Sequence, residues 1–356
     1  MFKLLAGLII ALGASFGLSV WATSDDKENA FIPDENYKPD MSRGANNFYQ
    51  SDLVNHKKVS FKNIYNMKVV GNLYTPKTMA ADAVLPAIVV GHPMGAVKEQ
   101  SASLYAQKMA EKGFVTLAID LSFWGESAGK PRNSVLPDVY SEDFSAAVDY
   151  LSSLKYVDKN KIGVIGICGS GSFAISAAKI DSRIKAIATV SMYNMGNAAR
   201  HGLNNSLSLD QRKALIDEIS QKRTEEFGNR THELTGGTVD ELKEDTDSIQ
   251  REFYDFYRTQ RGACGDKTST HPTLTSYAKF LNFYPFEDIE SISPRAMLFI
   301  TGDWAHSKEF SEDAYNRAAE PKEIYYVNGV GHTDLYDRVD IIPFDKLDSF
   351  FKEHLN

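Results

Sequence analysis

The chain has 356 residues, 43% hydrophobic and 24% charged, enough for one large domain with an insertion or for two domains with sizeable cores. Its formal net charge of −8 argues against a nucleic-acid partner, because neutralising phosphates requires a basic face. Neither figure restricts a small-molecule substrate.

The first 22 residues, MFKLLAGLIIALGASFGLSVWA, join Lys3 to an apolar run from Leu4 to Val20 and end on the small residue Ala22. This is the n-region, h-region and cleavage pattern of a secretory signal, so residues 1–22 are expected to be removed and the rest exported to the periplasm or medium. The apolar run also approaches spanning length, and an uncleaved segment would tether the same exported body. No second run of that kind follows, so no membrane insertion beyond this segment is expected. Export would put Cys168 and Cys264 in an oxidising compartment, where the two can pair as a disulfide.

Residues 23–56 are polar and expected to form an arm over the core. KKVSFKNIYNMKVVGNLYTP then reads as two strands around a turn at Asn66. LPAIVVGHP is a short apolar run ending in turn residues, as a buried strand would be. SASLYAQKMAEKG reads as a helix that starts on Ser101 and stops at Gly113. FVTLAIDL is a strand, SEDFSAAVDYLSSLK a helix, KIGVIGI a strand, GSGSFAISAAKI a small-residue helix and IKAIATVSMY a strand. The strands are continuous apolar runs alternating with helices, the mark of a mostly parallel sheet covered on both faces. Near Asn194 the alternation stops. Residues 194–293 are charged and helical in pattern, with GGTVDELKEDTDSIQREFYDFYRTQRG the clearest expected helix. A structureless loop of that length is improbable, so this stretch is predicted to be a helical lid inserted between two strands. The alternation resumes with PRAMLFITGD, SKEFSEDAYNRAA, KEIYYVNG and FDKLDSFFKEHL. The expected organisation is therefore an α/β core from 57–193 and 294–356, interrupted by the lid.

In an open parallel sheet, ligands bind beyond the carboxyl ends of the strands. Those ends carry His92-Pro93-Met94-Gly95, then Asp120 with Trp124-Gly125-Glu126-Ser127, then Cys168, Tyr193, Asp303 with His306, and His332. Cys168, Asp303 and His332 fall in the order nucleophile, acid, base of an α/β-hydrolase triad. Gly166 and Ser170 supply the small residues that a strand-to-helix nucleophile elbow requires two positions before and after Cys168. A helix N-terminus at the cysteine favours a thiolate, and His332 is expected to pair with it as an imidazolium, oriented by Asp303. The oxyanion hole is expected from the N–H of Gly169, following the nucleophile, and of Met94, since Pro93 has none. His92, Glu126, Tyr193 and His306 are candidate pocket residues. Ser170 is a rival nucleophile, although the elbow spacing places the turn at Cys168. The spacing of His92, His306 and His332 matches no zinc motif.

These stretches, with GHPMGAVKEQ, GFVTLAIDLSFWGESAGKPR, KIGVIGICGSG, TGDWAHSKEFSEDAY and GVGHTDLYDRVDIIPFDKL, resemble exported α/β-hydrolases related to dienelactone hydrolases. The resemblance runs from about residue 57 to the C-terminus. It implies an α/β-hydrolase fold and a Cys-His-Asp triad, falling here on Cys168, His332 and Asp303. It also implies cleavage of an ester or lactone through an acyl-enzyme, without metal or organic cofactor. The inserted lid departs from small dienelactone hydrolases and leaves the substrate open. Two other readings fit the same residues: a hydrolase fold kept for binding alone, and acyl transfer to an acceptor other than water.

Overall fold

In a computed structural model, the structure describes residues 37–229, 231–264 and 269–355. The expected signal at 1–22 and the first part of the arm lie outside these residues. Eight strands form one sheet in the order β1-β2-β4-β3-β5-β6-β7-β8. β1 (Val54–Lys62) and β2 (Lys68–Pro76) make the hairpin around Asn66, whose φ of 62° suits the turn. β2 runs antiparallel to β4 (Val115–Ile119), and every later pairing is parallel. The central strands β3 (Leu85–Gly91), β5 (Val157–Ile167), β6 (Ile184–Val190) and β7 (Ala296–Gly302) are buried where helices cover both their faces, and β5 turns apolar only from Ile162 on. β8 (Lys322–Val327) is the outer edge and is accordingly half exposed.

Helices α1 (Ala102–Glu111) and α10 (Phe344–His354) pack on one face; α2 (Pro137–Ser152), α3 (Ser170–Ile180) and α8 (Lys308–Arg317) pack on the other. Close approach is built into the strands. A Cβ on Gly91 would stand 2.4 Å from Phe144 of α2, and one on Gly163 2.5 Å from Phe351 of α10. Ser101 does not cap α1 with its side chain; its hydroxyl donates instead to the carbonyl of Tyr336 at 2.8 Å.

Between β6 and β7 lie α4 (Met195–His201), α5 (Leu209–Asn229), α6 (Ser248–Tyr257) and α7 (Leu274–Leu281). The long helix expected from GGTVDELKEDTDSIQREFYDFYRTQRG is only its second half. Asp247 caps α6 by accepting from the N–H groups of Ile249 and Gln250. The preceding chain threads against Thr270 so closely that a Cβ on Gly237 would stand 1.9 Å from the Thr270 carbonyl. Residues 37–53 run across the core, where the Asp40 carboxylate meets Arg338 at 2.8 Å and Asn47 accepts from the N–H of Ser101 at 2.7 Å. No helix among the described residues is long and apolar enough to cross a membrane.

Candidate active site

β5 delivers Cys168 through a turn that few side chains tolerate. Cys168 has φ +53°, in the left-handed region, a strain of about 1–3 kcal/mol that the surrounding structure must hold. It is held by the Cys168 N–H donating to Val190 and by the Cys168 carbonyl accepting from Gly171 and Tyr193, each at 3.0 Å. A Cβ on Gly166 would stand 2.4 Å from the Ser170 carbonyl, which is why the turn needs a glycine there. Ser170 is fully buried and donates to the His92 carbonyl at 2.5 Å, so its hydroxyl is committed to the scaffold. Gly169 opens α3 and lies against Met94, whose N would stand 3.2 Å from a Cβ on Gly169, and the main-chain N–H groups of both favour the thiolate form of Cys168. The two groups expected to hold an oxyanion thus lie together beside the cysteine.

His332 follows β8 and is fully buried. Its Nδ1 lies 2.6 Å from Ser307 Oγ and its Nε2 2.8 Å from the Tyr336 hydroxyl. The Asp303 carboxylate does not reach it. Asp303 instead accepts from the N–H groups of Gly329 at 2.7 Å and Val330 at 3.3 Å, tying the end of β7 to the loop that carries the histidine. The structure therefore places Ser307 where an orienting acid was expected. Taking Nδ1–H as the donor to Ser307 leaves Nε2 as the acceptor, the tautomer a base requires.

Tyr336 also lines the same cavity as Cys168 and Tyr257 of α6, its ring 6.1 Å from that of Tyr257. It adjoins both sulfur and imidazole. Burial pushes the Cys168 thiol up, against weaker opposing effects from Tyr336, Met94 and Gly169. Burial also holds His332 well below the ordinary histidine value, with His306 adding to the shift. Both shifts favour a neutral thiol and a neutral imidazole over the thiolate–imidazolium pair expected from the helix N-terminus, with desolvation opposing the helix dipole.

The remaining candidates separate. Tyr193 lines the site, its ring edge-on to His332 at 5.2 Å. His306 packs tilted against His332, ring centres 4.6 Å apart, and places Nδ1 3.3 Å from Glu252 of α6. His92 is structural: Nδ1 contacts the Pro93 carbonyl at 2.7 Å and Nε2 accepts from the Leu121 N–H at 3.1 Å. With both nitrogens used it is no zinc ligand, and no three His, Cys, Asp or Glu side chains among the described residues cluster to hold a metal. Glu126 lies away from the cysteine, in a neighbouring cavity, where it bridges Lys58 at 2.8 Å and Lys98 at 2.7 Å. Cys264 lines that same cavity, and it and Cys168 are not joined in a disulfide.

A cavity lies over Cys168, walled by the core and the insertion. The core contributes Met94, Tyr193 and Tyr336; the insertion contributes Met195, Phe253, Tyr257, Pro272, Tyr277 and Phe280. No charged side chain among the described residues lines it. Helix α6 covers the histidine directly, with Phe253 5.5 Å from the His332 ring and Glu252 accepting from the Thr333 N–H at 2.7 Å. Sequence reasoning missed Ser307, Tyr336, Tyr257 and Glu252. A local signal existed for one of them: Tyr336 follows His332 by four residues and comes back beside it through α9 (Asp334–Asp337).

A model of the dienelactone hydrolase family matches residues 70–253. The chain belongs to this family. It is 46% identical to the uncharacterized protein PA2218 of Pseudomonas aeruginosa over 86% of this chain and 83% of that protein. The crystal structure of PA2218 superposes with a TM-score of 0.83, covering 90% of this chain and 100% of that one. The uncharacterized protein YcjY of Escherichia coli is 35% identical over 79% of this chain and 93% of its own length. The polyketide transferase claH of Penicillium crustosum is 26% identical over 79% of this chain and 91% of that protein. Sheet order and family membership together make this an α/β-hydrolase fold.

Proposed function

We propose that this member of the family cleaves an ester or lactone of an apolar acid by way of an acyl-enzyme on Cys168. The observation that carries the reading is the sulfur itself, presented by a strained elbow at the wall of an apolar cavity, next to the paired main chains of Met94 and Gly169. Cys168 attacks the acyl carbon and His332 is the final acceptor of its proton. The developing oxyanion takes the two main-chain donors, which are fixed before reaction and cost no reorganisation. The leaving alcohol departs with a proton, and water then releases the acid. The polyketide transferase relative and the roof over Cys168 favour one second reading, in which an alcohol or thiol replaces that water. The N-terminal pattern of Lys3, the apolar run and Ala22 supports an exported location.

Intact-mass measurement after mixing with p-nitrophenyl butyrate tests the mechanism. The wild type should gain one butyryl group on Cys168, and Cys168→Ala should gain none and lose turnover while keeping its melting temperature. Undiminished turnover in that variant would remove the mechanism, and a wild type that never acylates would leave only a binding role.

A further inference from the structure

We propose that Tyr336 is a catalytic residue whose hydroxyl carries the proton of the Cys168 thiol to His332 Nε2. The proposal rests on the acyl-enzyme reading and adds the route by which the nucleophile is made. His332 Nε2 meets the Tyr336 hydroxyl at 2.8 Å, and Tyr336 neighbours Cys168 in the cavity that both residues line, where it favours the thiolate form. Among the described residues the hydrogen bonds of the imidazole nitrogens go to Ser307 and Tyr336, not to sulfur. The phenol thus adjoins both sulfur and imidazole, and Ser307 holds the imidazole from its other nitrogen.

The phenol is held as a fixed relay. Tyr336 is fully buried, its carbonyl accepts from Ser101, and the preceding Leu335 carbonyl accepts from the Tyr105 hydroxyl at 2.5 Å. Phe256 of α6 packs against its ring at 5.0 Å. Core helix and insertion therefore both fix where the hydroxyl points. A neutral chain of this kind also suits an apolar site, where a standing thiolate would go unsolvated. Charge need appear only as the sulfur bonds to carbon.

The step balances. The S–H proton passes to the Tyr336 oxygen as the Tyr336 proton passes to Nε2, giving imidazolium, while the sulfur electron pair forms the bond to the acyl carbon. When the tetrahedral intermediate collapses, the carbon–oxygen bond to the leaving group breaks. That oxygen takes a proton from Tyr336, which recovers one from His332. Phenol and imidazole end neutral, and the acyl group is on sulfur.

The test is single-turnover acylation of the full chain by p-nitrophenyl butyrate in mixtures of H2O and D2O, on wild type, Tyr336→Phe and Cys168→Ala. The wild type should give a bowed dependence on deuterium fraction, since two protons move together. Tyr336→Phe should acylate about 10²–10⁴-fold more slowly, the usual contribution of a positioned acid–base group, with a dependence that becomes linear. A linear dependence in the wild type overturns the relay without reference to any variant. So does a Tyr336→Phe enzyme that acylates within about threefold of wild type, or one that is slow but still bowed, since a packing role would do that. An acyl adduct that survives in Cys168→Ala overturns the acyl-enzyme reading and the relay together. Loss of that adduct alongside an unimpaired Tyr336→Phe overturns the relay alone.

Discussion

A hydroxyl against His332 Nδ1 orients the ring without adding charge, which separates Ser307 from Asp303 by experiment. Ser307→Ala leaves the buried Nδ1–H without its partner, at a cost of about 1–3 kcal/mol, and frees the ring to turn. Turnover should fall at least about tenfold, corresponding to 1.4 kcal/mol of lost orientation. Asp303→Asn keeps an oxygen for the Gly329 and Val330 N–H groups and should cost less in turnover than Ser307→Ala. Steady-state rates of the two variants check this, and the reverse ranking would restore the carboxylate as the orienting group. Burial also sets the pH response, with His306 adding to it. His332 is held well below its ordinary value in the folded protein, so it stays neutral and able to accept a proton under moderately acid conditions. The acid limb of kcat/KM should therefore lie below the ordinary histidine value of about 6.5. Stability has the same sign. Below about 6.5 the unfolded chain binds a proton that buried His332 refuses, so its contribution is complete above that pH and is lost as pH falls towards the folded value. Rates and urea midpoints through the acid range measure both effects.

At the scale of elements, what could be read from the sequence follows burial. β3 to β7 are legible because a strand covered on both faces must be apolar throughout, and LPAIVVG, VTLAI and AMLFITG have no polar alternation to mislead. Cys168 and His332 are legible for a related reason: strand ends place whatever follows them at one edge of the sheet. The insertion lacks such regularity. α5 is 21 residues long but polar nearly all round, with only Leu215, Ile219 and Glu226 buried, so it carries little apolar periodicity to find. Charges in GGTVDELKED look helical, yet Asp240 is committed to Arg258 at 2.9 Å and Gly237 to the wall of Thr270. Tertiary pairing thereby overrides local preference until Asp247 starts α6. Ser307 and Glu252 were hidden for the same reason. Ser307 reaches His332 and Glu252 reaches the N–H of the next residue, Thr333, each from a segment whose position only the folded chain decides.

For the whole molecule, the insertion is what turns a sheet edge into an enclosed chamber. Core residues supply Cys168, His332, Met94 and Gly169, while Met195, Phe253, Pro272, Tyr277 and Phe280 supply most of the apolar wall. On the proposed reading, chemistry and selectivity come from different parts of the chain, and substrate preference should follow the chamber. Its lining offers hydroxyls but no charge. An acyl group that enters gains about 0.8 kcal/mol per buried methylene, close to a fourfold rise in kcat/KM for each carbon added. A series of p-nitrophenyl esters from acetyl upwards should therefore climb at about that slope, then fall once the chain exceeds the chamber and forces the insertion apart. A succinyl ester matched in length should react far more slowly than its neutral counterpart, because no cation waits in the wall to repay the desolvation of its carboxylate. A flat response to chain length, or a preference for the charged ester, would mean that the acyl group binds outside this chamber.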